Sequence, residues 1–115
     1  MNFMKALFLL LSGKESPEKF RIGLRAAARS VAAKRYDDLK IVFFGPSEEL
    51  IGELKDEDLQ NFESLFKAGA IDSACIAEAQ RYNVEEKLKN KGVVLGHAGE
   101  RIAFYVNSGY TVISF

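Results

Sequence analysis

The sequence predicts a single α/β domain over residues 1–115, with a three-layer α/β/α architecture built on a five-stranded parallel sheet. Two observations carry this prediction. Apolar runs of strand length alternate with amphipathic segments of helix length along the whole chain. The chain has 115 residues, which is near the commonest size of one domain and too short for two. Strands separated by helices favour parallel pairing through right-handed crossovers.

The first strand and the first helix have the clearest boundaries. Residues 5–11, "KALFLLL", form a continuous apolar run, which is typical of a strand covered on both faces. Ser16 and Pro17 are typical N-cap and first-turn residues, and apolar residues then recur at helical spacing. These signals predict a helix over about residues 17–35.

A second strand and a second amphipathic helix follow. "LKIVFFG", residues 39–45, predicts a buried strand that ends at glycine and proline, and "SEELIGEL" indicates a short helical turn. From Asp56 the apolar residues again follow helical spacing, and Gly69 stands where a C-terminal glycine cap belongs.

The second half of the chain repeats the alternation in shorter pieces. "AIDSACI" predicts a third strand, "AEAQRYNVEEKLKNKG" a helix broken near Asn83, and "VVLG" (93–96) a very short fourth strand. "AGERIAFYVNSG" predicts a helix that ends at Gly109, and "YTVISF" (110–115) a fifth strand. The residues predicted for the interior of the sheet are Phe8, Leu10, Val42, Phe43, Ile71 and Val112.

The opening residues could be taken for a signal peptide because Lys5 precedes an apolar run. That run, residues 6–11, is shorter than a secretory core, and no small-residue cleavage site follows it, so a buried first strand is the better interpretation. No stretch approaches the ~18 apolar residues of a membrane span, so no membrane partner is expected.

Charge and cysteine content exclude several classes of function. Sixteen Lys and Arg balance sixteen Asp and Glu, which disfavours nucleic acid and anionic membranes as partners. A lone cysteine cannot form an internal disulfide and fits a reducing cytoplasm. Cys75 and His97 are too few soft ligands for a tetrahedral zinc site. We therefore expect no metal and no cofactor.

Two basic features could bind anions, but neither pattern is complete. "LSGKES" lies before a helix, yet Phe8 and Glu15 occupy positions where a phosphate loop needs glycine and a hydroxyl residue. Arg21, Arg25 and Arg29 form a basic ridge at helical spacing. With zero net charge, this ridge is more typical of a solvated face or a subunit contact than of a nucleic-acid site.

Cys75 lies at the end of the third predicted strand, where a following helix would favour thiolate over thiol. A lone cysteine is, however, more often an inert core residue. His97 follows the fourth predicted strand, and if the third and fourth strands are neighbours it could reach Cys75 as a base or a charge partner. Otherwise His97 is a surface loop residue between two glycines.

The chain as a whole resembles the DsrE/DsrF-like family of small sulfur-relay proteins. The segments that carry the likeness are "KALFLLLSG", "LKIVFFGPSEELI", "LFKAGAIDSACIAEAQRYNV" and "GERIAFYVNSGYTVISF". The resemblance implies strand order 4-3-2-1-5, homo- or hetero-oligomers, and a persulfide-carrying cysteine that Cys75 would match. "IAEAQ" replaces the glycine- or serine-containing turn common after that cysteine, which predicts a more enclosed thiol.

Two functions of different classes follow. In the first, Cys75 accepts sulfane sulfur from a donor protein, holds it as a persulfide and passes it to a partner thiol, with His97 keeping Cys75 ionised. In the second, the chain is a non-catalytic oligomeric binding module and Cys75 is a core residue. A small-ligand or nucleotide binder ranks last.

Nine Phe and four Tyr in a short chain also predict self-association, as a dimer or trimer.

Overall fold

The computed structural model describes residues 4–115 and contains one five-stranded sheet in the order β4-β3-β2-β1-β5. All four strand pairs are parallel. The strands are β1 (Lys5–Leu10), β2 (Asp38–Phe43), β3 (Ile71–Cys75), β4 (Leu95–Gly96) and β5 (Tyr110–Ser114). The predicted fold class and the predicted strand order are therefore confirmed, and β5 is part of the sheet.

Six helices connect these strands. They are α1 (Pro17–Ala32), α2 (Ser47–Ile51), α3 (Asp56–Lys67), α4 (Ile76–Arg81), α5 (Glu85–Asn90) and α6 (Ala98–Asn107). The predicted break near Asn83 separates α4 from α5, and Asn83 itself has a left-handed backbone with φ of 59°. The short turn predicted in "SEELIGEL" is the helix α2.

The first helix is shorter than predicted. It ends at Ala32 because Lys34 adopts φ of 53° and the Arg35 amide donates back to the Ser30 carbonyl at 3.0 Å. This is the hydrogen-bond pattern of a Schellman cap, which satisfies the last carbonyls of a helix. It was not recognised in the sequence because lysine, unlike glycine, gives no signal for a left-handed residue.

The helices divide between the two faces of the sheet. One face packs against residues of α1 to α5, among them Phe20, Leu24, Phe62 and Leu88. The other face carries a smaller cluster to which α6 contributes Ala98 and Tyr105. The layers are therefore present on both sides, as predicted, but the α6 side is much thinner.

Of the six residues predicted for the interior of the sheet, four are buried, one is half-buried and one is exposed. Phe8, Leu10, Val42 and Phe43 are buried, and Ile71 is half-buried. Val112 is 38% exposed, because β5 is an edge strand and α6 does not cover that part of the sheet. No helix formed by residues 4–115 is long and apolar enough to cross a membrane.

Candidate functional site at the carboxyl edge of the sheet

Cys75 lies at the carboxyl end of β3, where the sequence placed it. It pairs in register with Gly96 of β4 and is also the N-cap residue of α4. Its side chain belongs to the cluster formed by Leu7, Val42, Ala98 and Tyr105, and only 7% of the residue is exposed. The structure therefore contains the more enclosed thiol that the residues after Cys75 predict.

His97 lies on the adjacent strand end, as expected from neighbouring third and fourth strands. It follows Gly96 directly, caps α6, and accepts the Arg101 amide on its backbone carbonyl at 3.0 Å. Its side chain is exposed. Within the part of the chain that the structure describes, no hydrogen bond joins the imidazole to Cys75. The structure thus brings the two backbones together but not the two side chains.

Glu48 is the residue at this edge that the sequence analysis missed. It is 1% exposed, and its Oε2 accepts the Gly45 amide at 2.9 Å. Its Oε1 is buried and, among residues 4–115, has no hydrogen-bond partner. Burial raises the pKa of this carboxyl to about 7, and the negative charge of Glu78 adds to the rise. The backbone amides of Gly45 and Cys75 favour the carboxylate and oppose the rise. Buried, perturbed carboxyls at strand ends are candidate functional groups.

Tight contacts between two loops fix the position of Glu48. Gly45, with φ of 98°, and Pro46 turn the chain after β2, and the Ser47 hydroxyl then donates to the Leu10 carbonyl at 2.6 Å. A Cβ on Gly13 would lie 2.2 Å from the Pro46 carbonyl oxygen, so only glycine allows this approach. In the sequence Glu48 resembles any acidic residue in a first helical turn, and no local signal separates it from Glu49.

A second polar cluster joins β3 to α6. The Arg101 guanidinium donates to both oxygens of Asp72, at 3.0 and 2.8 Å, and the Tyr105 hydroxyl donates to Asp72 Oδ1 at 2.6 Å. A register shift in the pairing of β2 with β3 coincides with Asp72, since Ile71 and Ser73 pair with consecutive residues of β2. This bulge is what turns the carboxylate toward α6.

The ionisation of this cluster is set by its hydrogen bonds. Burial alone would raise the pKa of Asp72, but the hydrogen bonds from Arg101, Tyr105 and Ser73 together lower it. Burial and the Asp72 carboxylate raise the pKa of Tyr105 to about 12. The cluster therefore remains an ion pair with a neutral phenol through the physiological pH range, and it anchors the helix that covers Cys75.

Other features of the described residues do not add a ligand site at Cys75. Within residues 4–115 no group of three His, Cys, Asp or Glu side chains could hold a metal ion. A surface concavity lined by Ser30, Tyr36, Leu39 and Ala70 lies at the amino ends of the strands, opposite Cys75. The basic ridge of α1 is partly neutralised, because Arg21 contacts Glu18 and Asp58.

Comparison with known proteins supports the fold but assigns no function. The chain is similar to the structure of a conserved protein of unknown function from Bacteroides thetaiotaomicron, with a TM-score of 0.76 and 19% identity over 96% of this chain and 94% of that one. No known family model matches the sequence, and no curated protein matches it. The three-layer fold with its parallel sheet is thus shared by another protein.

Proposed function

We propose that the protein is a sulfur-relay protein that carries sulfane sulfur as a persulfide on Cys75. The observation that carries the proposal is the position of this lone cysteine at the carboxyl end of β3, where its backbone amide lies near the buried carboxyl of Glu48. In parallel α/β sheets this edge is where ligands bind and catalysis occurs. The resemblance to DsrE/DsrF-like proteins supports the same assignment, and a reducing cytoplasm would keep the thiol available.

The proposed reaction needs no metal or organic cofactor. The Cys75 thiolate attacks the outer sulfur of a donor persulfide, R–S–SH, and its electron pair forms the new S–S bond. The donor S–S bond breaks, R–S⁻ leaves with that electron pair, and it recovers the proton that the Cys75 thiol gave up. A partner thiolate later removes the outer sulfur by the same exchange, which regenerates Cys75.

The burial of Cys75 favours a second candidate function. A thiol that is 7% exposed and packed among apolar side chains is typical of a core residue, as in a non-catalytic oligomeric binding module of this fold. A carrier requires α6 to move, because α6 places Ala98 and Tyr105 in the same cluster as the thiol. The two functions therefore differ in whether the native thiol reacts.

Native protein exposed to a small sulfane donor is expected to gain one sulfur atom, measured by mass spectrometry. The gain is expected to be absent in Cys75→Ser, because the chain contains no other cysteine. Alkylation of the native thiol near neutral pH is expected to be slowed in His97→Ala with the fold unchanged only if α6, which begins after His97, moves so that the imidazole reaches Cys75, since no hydrogen bond joins the two side chains among residues 4–115. A thiol that reacts only after denaturant is added would refute the carrier and leave the binding module; an unaffected His97→Ala would remove only the role of the histidine.

Self-association through the thin face of the sheet is part of the proposal. Phe104 and Val106 of α6 are 53% and 51% exposed, and Val112 of β5 is 38% exposed. Apolar surface of this kind is typical of contacts between protein chains. Sedimentation at micromolar concentration is expected to give a dimer or trimer, and Phe104→Glu is expected to lower the fraction assembled. A monomer of 12.8 kDa in the wild type would contradict it.

A further inference from the structure

The outer edge of β5 is an interaction surface: we propose that it pairs in antiparallel orientation with the β5 edge of a second copy of this chain, so that the two sheets become one. This deepens the self-association proposed above, on which it rests, by naming the contact. It does not depend on sulfur transfer, because β1 and β2 separate β5 from the strand that ends in Cys75.

The hydrogen bonds between β5 and β1 show which backbone groups face outward. The Phe115 amide donates to the Leu9 carbonyl at 2.9 Å, and the Leu11 amide donates to the Phe115 carbonyl at 2.8 Å. Phe115 therefore directs both of its backbone groups to β1. Backbone groups alternate in direction along a strand, so Thr111 and Ile113 also bond to β1.

The remaining residues of β5 turn their backbone groups away from the sheet. These residues are Tyr110, Val112 and Ser114. β5 stands at the end of the strand order and pairs with β1 alone. Among residues 4–115, no hydrogen bond takes up the outward amides and carbonyls of these three residues. The outer edge is therefore a row of backbone donors and acceptors that another strand can pair with.

This edge lacks the usual protection against pairing. Natural sheets keep exposed edges apart by short strands, charged side chains, proline or bulges. β5 has five residues, Tyr110–Ser114, with no charged residue and no proline, and its register with β1 is continuous. The opposite edge strand, β4, has only the two residues Leu95–Gly96. Pairing is therefore expected at β5 and not at β4.

Apolar side chains flank the outer edge on both faces of the sheet. On the thin face Val112 is 38% exposed, and Val106 near the end of α6 is 51% exposed. On the other face Ile22 of α1 is 45% exposed. It adjoins Gly23, where a Cβ would lie 2.9 Å from the Phe115 side chain, so this part of α1 lies against β5. A strand added at the edge would cover apolar surface as well as backbone groups.

A second copy of β5 fits this edge better than an unrelated strand. With a twofold axis at Val112, the two Val112 residues exchange hydrogen bonds, and the groups of Tyr110 meet those of Ser114. This register uses every outward group and places no charge of β5 against a like charge. An unrelated strand would leave its own outer edge open, whereas two copies of β5 close each other's edge.

The size of the contact predicts a reversible dimer. The five residues of β5 span about 17 Å, and three layers of roughly 10 Å each make the edge about 30 Å thick. The edge therefore offers on the order of 500 Å² per protomer, or about 1,000 Å² for the pair, which is the lower bound of a specific interface. Such a dimer is expected to dissociate on dilution.

Amide hydrogen exchange of the intact protein tests the pairing. Between low micromolar and millimolar protein, the Val112 and Ser114 amides are expected to exchange about tenfold more slowly, because pairing protects them. The Ile113 amide, which bonds to β1, is the internal control and is expected to be protected at both concentrations. Fast exchange of the Val112 and Ser114 amides at every concentration would overturn the proposal.

Val112→Pro removes an outward amide, and proline is tolerated where a strand edge faces solvent. The variant is expected to fold and to raise the dissociation constant of the dimer more than about tenfold in sedimentation. Val112→Thr is the matched control, because it keeps the amide and the β-branched shape, and it is expected to assemble like the wild type. Assembly of Val112→Pro as tight as that of the wild type would refute the edge contact.

The outcomes separate this contact from the rest of the proposed function. An assembled protein whose Val112 and Ser114 amides exchange freely would place the contact elsewhere and leave self-association standing. A wild type that is monomeric at every concentration would refute both. If Val112→Pro fails to fold, the exchange rates of the wild type still decide the matter. Uptake of sulfane sulfur by Cys75 is measured independently of each of these results.

Discussion

Replacing Asp72 with alanine is expected to lower the free energy of unfolding by about 3 kcal/mol and to increase the reactivity of the Cys75 thiol more than tenfold. The Asp72 carboxylate accepts two hydrogen bonds from Arg101, one from Tyr105 and one from Ser73. Tyr105 is 5% exposed, so its hydroxyl would lose its partner where solvent cannot replace it. Arg101 is more exposed and regains hydration, which keeps the loss below that of a fully buried pair.

The effect on the thiol follows from the position of α6. Its residues Ala98 and Tyr105 pack in the cluster that contains Cys75, so weakening the anchor to β3 should increase the population in which the thiol is uncovered. Chemical denaturation measures the first effect and alkylation of native protein the second. Tyr105→Phe, which removes one hydrogen bond and keeps the ring, is expected to cost only about 1 kcal/mol.

The hydrogen bonds from Arg101 and Tyr105 of α6 to Asp72 should also weaken in acid. The pKa of Asp72 is lowered in the folded state, so its stabilising contribution is present above the pKa of the unfolded chain and is lost as the pH falls through the folded value. The difference in stability between wild type and Asp72→Ala should therefore shrink below about pH 4. Equal stability of the two proteins at neutral pH would show that the cluster does not hold α6.

Replacing Glu48 with glutamine is expected to stabilise the protein at alkaline pH by up to about 3 kcal/mol and to remove much of its pH dependence. Burial raises the pKa of Glu48 from 4.5 to about 7. Between these two values the unfolded chain loses the proton before the folded chain does, so the stability of the wild type falls as the pH rises. Above about pH 7 the penalty is complete, because both states are ionised.

Glutamine keeps the shape of the side chain and an oxygen that can accept the Gly45 amide, but it does not ionise. Unfolding free energies measured in urea from about pH 4 to about pH 9 should diverge between wild type and Glu48→Gln as the pH rises. Glu49→Gln, on the same helix, should run parallel to the wild type. A constant difference between wild type and Glu48→Gln across this range would mean that Glu48 ionises as an ordinary surface carboxyl.

The sequence predicts some features of the candidate site and not others. The strand-end positions of Cys75 and His97 were predictable, because apolar runs and turn residues mark where β3 and β4 stop. The exposure of His97 and the burial of Cys75 were each one of two alternatives that the sequence left open, because both depend on where α6 packs. Glu48 was missed altogether, since an acidic residue in a first helical turn is ordinarily solvated.

The sequence by itself determined the alternation of strands and helices and the carboxyl edge of the sheet as the place of the cysteine. Those features depend on the spacing of apolar residues and on turn residues, which act over a few positions of the chain. The tertiary structure alone decided that Val112 is exposed, that Asp72 holds α6 and that Glu48 is buried beside Cys75. Burial and electrostatic environment are set by the residues that surround a group in space, and these lie far apart in the sequence.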